Sequence, residues 1–461
     1  MKSKRKLFGT DGIRGKANIY PMTGEIAMAL GRAVTSYFQR TQLRPYGRKK
    51  PLIVIGKDTR LSCYMLEHAF SAGVCSQGGQ AILTGPLPTP GVAFVTQSMR
   101  ADAGVMISAS HNSFDDNGIK IFDRTGHKLP DLVELELEQM VLNPDLIEKK
   151  IDHQLGNAKR LDEVIGRYIV QTKQAFSPQY SLEGMRLVVD CANGAGYKVA
   201  PQIFEELGAE VISLGVQPNG TNINQQCGAL NPQLCAENVI KYRADLGVCL
   251  DGDGDRLIII DEKGQVVNGD QLIGVLAHFL KMTSQLDKQT VVGTVMTNAG
   301  VEEYLKSLKI KLERTQVGDR YIVEKMLETG SCFGGEPSGH LIFKKHSTTG
   351  DGILAALKVI ECMNFFQKKL SDLIEVVPLY PQVLKNIKVQ ERVPFEEIAE
   401  LMVEVGKIEK EMGKEGRILL RYSGTEPLAR VMVEGKYFDR VNEYCDHLVQ
   451  TVRRTIGQRN H

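Results

Sequence analysis

The sequence predicts an α/β protein of several domains with an α+β tail, and three observations carry that prediction. The chain has 461 residues, more than a single hydrophobic core organises. Short β-branched runs alternate with longer amphipathic stretches, the cadence of strands covered by helices. A polar loop with glycine and aspartate or arginine follows many of the runs, where open α/β sheets collect their ligands.

In order, 51–56 reads as a strand ending in glycine and 61–72 as a helix. Residues 104–108 form a strand that breaks into a polar loop at Ala109, and the same cadence returns at 186–190, 244–250 and 290–295. The clearest loops are Gly56-Lys57-Asp58-Thr59-Arg60, the stretch 251–256 and Gly318-Asp319-Arg320. Their recurrence points to repeated α/β units without a measurable sequence repeat. From about Pro378 the order becomes strand, acidic helix over 395–410, two strands and a final helix over 439–456.

Composition narrows the function classes. A formal net charge of +2 with dispersed Lys and Arg carries no polycationic footprint, so nucleic acid is not an implied partner. The basic stretch 40–50 reads as a solvated loop. Nine cysteines without a CxxC pair suggest a reducing compartment and small buried hydrophobes. Met1 and the basic residues after it could open a signal peptide, but Gly9-Thr10-Asp11-Gly12 stands where its apolar core belongs. No apolar run approaches the roughly 20 residues of a membrane span. A cytoplasmic protein is the expectation.

Asp251-Gly252-Asp253-Gly254-Asp255-Arg256 is the most informative segment. Three carboxylates at alternate positions, separated by glycines, let one tight loop turn all three inward onto a hard cation such as Mg²⁺. An EF-hand is excluded, because its sixth position would be Arg256 and 257–260 reads as a strand. Ser108-Ala109-Ser110-His111-Asn112 follows a strand. A hydrolase nucleophile is disfavoured there, since adjacent Ser and His rarely reach nucleophile–base geometry and no G-x-S-x-G elbow exists. A serine that accepts and donates phosphate fits better, with the metal loop, Lys120 and Arg14 to offset its charge. A plain Ser/Asn-rich turn stays open at this point.

Gly335-Glu336-Pro337-Ser338-Gly339-His340 offers a carboxylate, a hydroxyl and an imidazole suited to sugar hydroxyls. Arg421-Tyr422-Ser423-Gly424-Thr425-Glu426-Pro427, followed by Arg430, has the ingredients of a phosphate cradle. An ordinary strand-ending turn is the alternative. No Walker A pattern exists, which disfavours a P-loop NTPase.

Together, in this order, the four loops resemble those of the α-D-phosphohexomutase superfamily over essentially the whole chain. Leu7-Phe8-Gly9-Thr10-Asp11-Gly12-Ile13-Arg14-Gly15, Asn222-Ile223-Asn224-Gln225-Gln226-Cys227-Gly228 and Arg430-Val431-Met432-Val433-Glu434-Gly435 are similar to its bacterial aminosugar branch. Two positions depart: Pro337 stands where that branch usually carries glutamine, and Ser113 where it carries proline. The resemblance implies three similar α/β domains, 1–162, 163–264 and 265–377, plus a smaller α+β domain, 378–461, around a central cleft. It implies that Ser110 carries the phosphoryl group, and that glucosamine 6-phosphate and glucosamine 1-phosphate interconvert through glucosamine 1,6-bisphosphate, feeding UDP-N-acetylglucosamine and cell-wall synthesis.

The resemblance further implies one Mg²⁺ per active site, held by Ser110, Asp251, Asp253 and Asp255. Arg14, His111, Lys120 and His340 are its catalytic residues, with Lys120 and His340 as acid/base candidates. Arg256, Glu336, Ser338, Arg421, Ser423, Gly424, Thr425 and Arg430 are its substrate-binding residues. The C-terminal domain is expected to hinge over the substrate. A kinase or autophosphorylation supplies the first phosphate, and a homodimer is left open. Three rivals remain: a glucose or mannose phosphomutase, a metal-dependent phosphatase and a sugar-phosphate-binding regulator.

Overall fold

Three times along the chain the same four-strand unit is laid down. The computed structural model describes residues 6–9, 11–41, 50–413, 415–423 and 427–457. In the first unit the strands run in spatial order Gln80–Pro86, Leu52–Lys57, Ala103–Ile107, Asp116–Asp123. In the second the order is Glu210–Leu214, Arg186–Asp190, Leu246–Leu250, Leu257–Ile260, and in the third Lys311–Thr315, Thr290–Thr294, Phe333–Gly335, Leu341–Phe343. Numbered within each unit, every order is 2-1-3-4. The first three strands are parallel and the fourth returns antiparallel. The first sheet adds Gly12–Lys16 and Phe8–Gly9 beside its fourth strand and Asn157–Arg160 beside its second.

That repeat fixes where function can sit. A tight connection between a parallel third strand and an antiparallel fourth falls at the carboxyl edge of the sheet. In the first unit it is the serine loop between Ile107 and Asp116. In the second it is the Asp251–Arg256 loop, and in the third the Glu336–His340 loop.

Burial follows the sequence pattern. The strands Ala103–Ile107 and Leu246–Leu250 are buried at every position, as expected for sheets covered on both faces. One apolar cluster runs through all three units, joining Val54 and Phe122 to Leu187, Val248, Val291 and Phe333. Buried caps set helix starts: the Asp351 carboxylate accepts from the Ile353 and Leu354 N–H groups and from the Tyr168 hydroxyl, satisfying donors the helix leaves free.

The fourth sheet is fully antiparallel, in the order Gln382–Lys388, Leu428–Gly435, Gly416–Tyr422. Its own core lies between that sheet and two helices, Ala399–Met412 and Phe438–Ile456. The helix expected over 395–410 is divided: a 3₁₀ turn at Phe395–Glu397 precedes the α-helix. Pro394 and the stacking of Phe395 on Tyr422, 4.3 Å apart, hold that turn out of register. A polar seam joins this sheet to the third unit. Arg417 donates to the Val295 and Thr297 carbonyls and to buried Glu434, which also accepts from Ala299 N–H.

All nine cysteines are free thiols, eight of them buried. Among the described residues no helix is long and apolar enough to cross a membrane. Residues 42–49, within the basic stretch read as a solvated loop, lie outside the described residues.

Candidate active site

The serine loop is held by its backbone. Ser110 is buried and takes a left-handed φ of 52°, a conformation that costs a non-glycine residue energy unless its surroundings enforce it. Arg60, fully buried, donates to the carbonyls of Ser110, Asn112 and Ser113 at 3.3, 2.6 and 3.3 Å. Asp58 neutralises its guanidinium. Asn224 donates to the Ser110 and Asn112 carbonyls at 2.9 Å each. The metal-loop backbone closes the fourth side: a Cβ at Gly252 would lie 2.4 Å from the Ser110 carbonyl oxygen, so only glycine fits there.

This packing aims the Ser110 side chain at the aspartates. Its hydroxyl donates to Asp251 Oδ2 at 2.6 Å. Contrary to the expectation for adjacent residues, His111 Nδ1 also approaches Ser110 Oγ, to 3.4 Å, because the left-handed turn swings the two side chains together. Burial, Arg256 and Arg14 push the His111 imidazole down to about 4, so it is neutral at pH 7 and able to accept.

Asp251, Asp253 and Asp255 are buried, with one carboxylate oxygen of each within 4.8 Å of the others. Thr89 donates to Asp253 Oδ2 at 2.5 Å, and Lys120 Nζ lies 2.9 Å from the same oxygen and 3.5 Å from Asp255. Asp253 Oδ1 and Asp255 Oδ1 have no hydrogen-bond partner. Buried carboxylate oxygens without partners are costly. With Ser110 Oγ they compose the all-oxygen set that a hard divalent cation accepts, so the residues present fit such an ion. Burial, then Asp255 and Asp253, pushes the Asp251 carboxyl up to about 8, the mark of negative charge gathered without enough counter-charge. Burial alone would lower Lys120, but Asp11, Asp253 and Asp255 reverse this and hold it as a cation.

The sugar loop faces the serine across a cleft of about 460 Å³ whose walls include Arg14, Ser110, His111, Arg256, Glu336 and His340. Arg14 donates to the Ala109 carbonyl at 3.4 Å and pairs with Asp11. Arg256 gives its backbone N–H to Asp251 Oδ1, leaving Nε without a partner. Glu336 accepts from Gly318 N–H at 2.9 Å and from the Ser338 hydroxyl at 3.3 Å. Gly350 N–H donates to His340 Nε2 at 3.1 Å. Burial lowers the imidazole, yet Asp255 and Asp319 more than offset that and leave it raised.

Three of the four sequence-identified loops therefore meet at one cleft. The fourth does not line it in this structure. Arg421 and Arg430 are direct cross-strand partners, each with a buried Nε lacking a partner, beside buried Ser423. Two unneutralised cations side by side form a socket for an anion. Gly424 and Thr425 lie outside the described residues.

Several residues at the site carry no role from sequence alone. Asp58 and Arg60 stand in a flagged loop, and so do Asp319 and Arg320, although these last two open the helix Asp319–Thr329. Asp11 and Asn224 lie in segments that carried the resemblance. Thr89 and Lys128 have no local signal.

The whole-chain comparisons agree with this geometry. The phosphoglucomutase/phosphomannomutase family models match in order: alpha/beta/alpha domain I at 5–148, domain II at 167–264, domain III at 268–380 and the C-terminal domain at 384–451. The chain is 50% identical to a phosphoglucosamine mutase of Pelobacter propionicus over 99% of this chain and 100% of that one. It is 51% identical to that of Desulfotalea psychrophila, over 98% and 99%. Among solved structures, a phosphoglucomutase/phosphomannomutase family protein of Burkholderia thailandensis superposes with a TM-score of 0.81 at 20% identity, covering 98% of this chain and 99% of that one. An Aspergillus fumigatus N-acetylphosphoglucosamine mutase, solved with GlcNAc-6P and magnesium, gives 0.69 at 17% identity, covering 98% and 96%.

Proposed function

This chain belongs to the phosphoglucomutase/phosphomannomutase family, and from that premise we propose that it interconverts glucosamine 6-phosphate and glucosamine 1-phosphate through a phosphoserine at Ser110. The observation that carries the reading is the Ser110 hydroxyl 2.6 Å from a buried aspartate triad with two unpartnered carboxylate oxygens. The aminosugar choice rests on relatives of about 50% identity over nearly their whole length.

Phosphoserine 110 donates its phosphoryl group to the 1-hydroxyl of glucosamine 6-phosphate. The P–O bond to Ser110 breaks, a P–O bond to the sugar forms, and the hydroxyl proton passes to a base. The 1,6-bisphosphate turns in the cleft, its 6-phosphoryl returns to Ser110, and glucosamine 1-phosphate leaves. Ser110, Asp251, Asp253 and Asp255 would hold Mg²⁺, which when bound neutralises charge on the phosphoryl oxygens. The transition state is loose, so positioning and charge dominate. Lys120, held as a cation, and Arg14 supply positive charge beside the serine, and His111 lies against its oxygen. Of the two acid/base candidates, His340 is then the one free to exchange a proton. Glu336 and Ser338 receive the sugar hydroxyls, with Arg256 at the same wall. Arg421, Ser423, Gly424, Thr425 and Arg430 grip the phosphate that is not reacting, once the C-terminal domain swings over the cleft.

The same reading keeps the division at 162, 264 and 377, places the protein in the cytoplasm as a supplier of UDP-N-acetylglucosamine and cell-wall synthesis, and leaves a homodimer open. The first phosphate on Ser110 comes from a kinase or from the enzyme itself.

Initial rates on glucosamine, glucose and mannose 6-phosphates, measured side by side, test the substrate. The kcat/KM for glucosamine 6-phosphate is expected to lead by about 10-fold or more. A lead for glucose or mannose would move the assignment within the family, and phosphate release without isomer would identify a phosphatase. Arg430→Ala is expected to raise KM by about 10- to 100-fold, the worth of one charge-assisted contact, with the serine phosphate intact by mass. Loss of that phosphate instead would contradict a role confined to the distal phosphate.

A further inference from the structure

Between the cleft and the back of the molecule, six charged side chains close into a ring that the roles above leave half unused. Lys128 pairs with Asp11 and reaches Asp319 at 2.6 Å. Asp319 Oδ2 lies 3.8 Å from His340 Nε2, and His340 Nδ1 lies 3.7 Å from Asp255. Asp255 is 3.5 Å from Lys120, and Lys120 returns to Asp11 at 3.5 Å. With His340 protonated the signs alternate all the way round. The ring joins all three α/β units: Asp11, Lys120 and Lys128 from the first, Asp255 from the second, Asp319 and His340 from the third.

Asp319 belongs to a turn with two further attachments. Immediately before it, Gly318 gives its N–H to Glu336 at 2.9 Å, from a φ of 135° that suits glycine. Immediately after it, Arg320 crosses to Asp131 and to Glu134, the latter at 2.7 Å, on the first-unit helix Asp131–Leu142. Three consecutive residues thus tie the sugar loop, at Glu336 and His340, to the unit that carries Ser110. Both Asp319 oxygens are already engaged, Oδ1 by Arg320 N–H at 2.8 Å and Oδ2 by Lys128 and His340, so the residue borders the cleft without an acceptor to offer a sugar.

We propose that Asp319 and Lys128 are positioning residues for phosphoryl transfer, a charged strut that sets His340 and Glu336 of the third unit against the phosphoserine loop of the first. The proposal rests on the mutase reading. Stability alone does not account for the strut, because a buried ion pair holds two surfaces together no better than well-packed apolar residues. What it adds is a fixed distance between two loops on separate sheets. Catalysis is sensitive to that distance, since a misplacement of about 1 Å can cost roughly 100-fold.

Asp319→Asn keeps the shape and removes the charge. Its kcat is expected to fall about 30- to 100-fold with KM within about threefold, Ser110 still phosphorylated by mass and the melting temperature near wild type. Asp319→Glu should recover most of the loss. Lys128→Met should reproduce it, and the Asp319→Asn/Lys128→Met pair should be no slower than either single variant, because the two act as a unit. Lys128→Met also carries the comparison should Asp319→Asn accumulate poorly. Wild-type enzyme that fails to isomerise hexose phosphates would sink the mutase reading itself. Wild type that isomerises beside variants at wild-type kcat, variants impaired in KM alone, or a double variant showing the product of the single losses would each overturn the strut.

Discussion

Ser110→Ala stops the reaction: turnover is expected to fall by at least about 10⁴-fold, the scale seen when a covalent nucleophile is removed. The substitution deletes one oxygen and little else. The loop's left-handed turn is enforced from outside, by Arg60 and Asn224 on its carbonyls and by the Gly252 backbone behind it, and none of these contacts uses the serine hydroxyl. Alanine adopts the same φ at similar cost, and the one hydrogen bond lost, to Asp251, is worth about 1 kcal/mol. The folded protein should therefore survive unchanged in circular dichroism while activity disappears. Intact-mass analysis supplies the second half. Wild type should carry one phosphate that maps to Ser110, and the variant none. A variant that still turned over, or still carried a stoichiometric phosphate, would place the carrier elsewhere. Ser108 is the nearest alternative, but its Oγ is engaged by the Ser110 N–H at 2.9 Å and by Arg60.

What the sequence made legible were features compressed into one local segment. The aspartates at 251, 253 and 255 are separated by single glycines, so one loop contains the whole ligand geometry, and the structure gathers them as the spacing implies. The strand-then-loop cadence was legible for the same reason, and it turns out to be a threefold 2-1-3-4 repeat that places serine, metal and sugar loops at equivalent connections. Contacts between distant segments left no such trace. Thr89 meets Asp253 across 164 positions, and Lys128 meets Asp319 through a pairing that neither residue's neighbours announce. The stretch 318–320 was visible as a polar loop, yet its position as a helix start, with Gly318 bonding Glu336 and Asp319 beside His340, depends on how two sheets pack. The contact between Ser110 and His111 was misjudged because the expectation assumed an ordinary backbone, and a φ of 52° is set by tertiary neighbours. The acidic helix was misplaced by a few residues where an aromatic stack overrides local propensity.

Asp253→Asn separates the proposed metal from the scaffold that surrounds it. The amide is the same size and keeps an acceptor for the Thr89 hydroxyl, so packing around position 253 changes little. Its charge does change, and at this site charge is the chemistry. Three buried carboxylates leave two oxygens unpartnered, and Lys120 already neutralises part of the cluster from one side. The remaining deficit is what a divalent cation would fill. Replacing one carboxylate by an amide weakens a hard-cation site, and removing one preorganised charge from a phosphoryl-transfer site costs about 10²- to 10³-fold. Turnover at saturating Mg²⁺ is therefore expected to drop by that factor or more. An independent readout avoids relying on activity. A cation that binds only the folded state stabilises it by mass action, about 2.7 kcal/mol at 100 times its Kd. Mg²⁺ should accordingly raise the melting temperature of the wild-type protein, and chelation should reverse the shift, whereas Asp253→Asn should show little shift at the same concentration. The two measurements must move together: a variant with wild-type turnover in Mg²⁺, or one whose melting temperature rises as far as wild type's, would mean that Asp253 does not hold the ion on which catalysis depends.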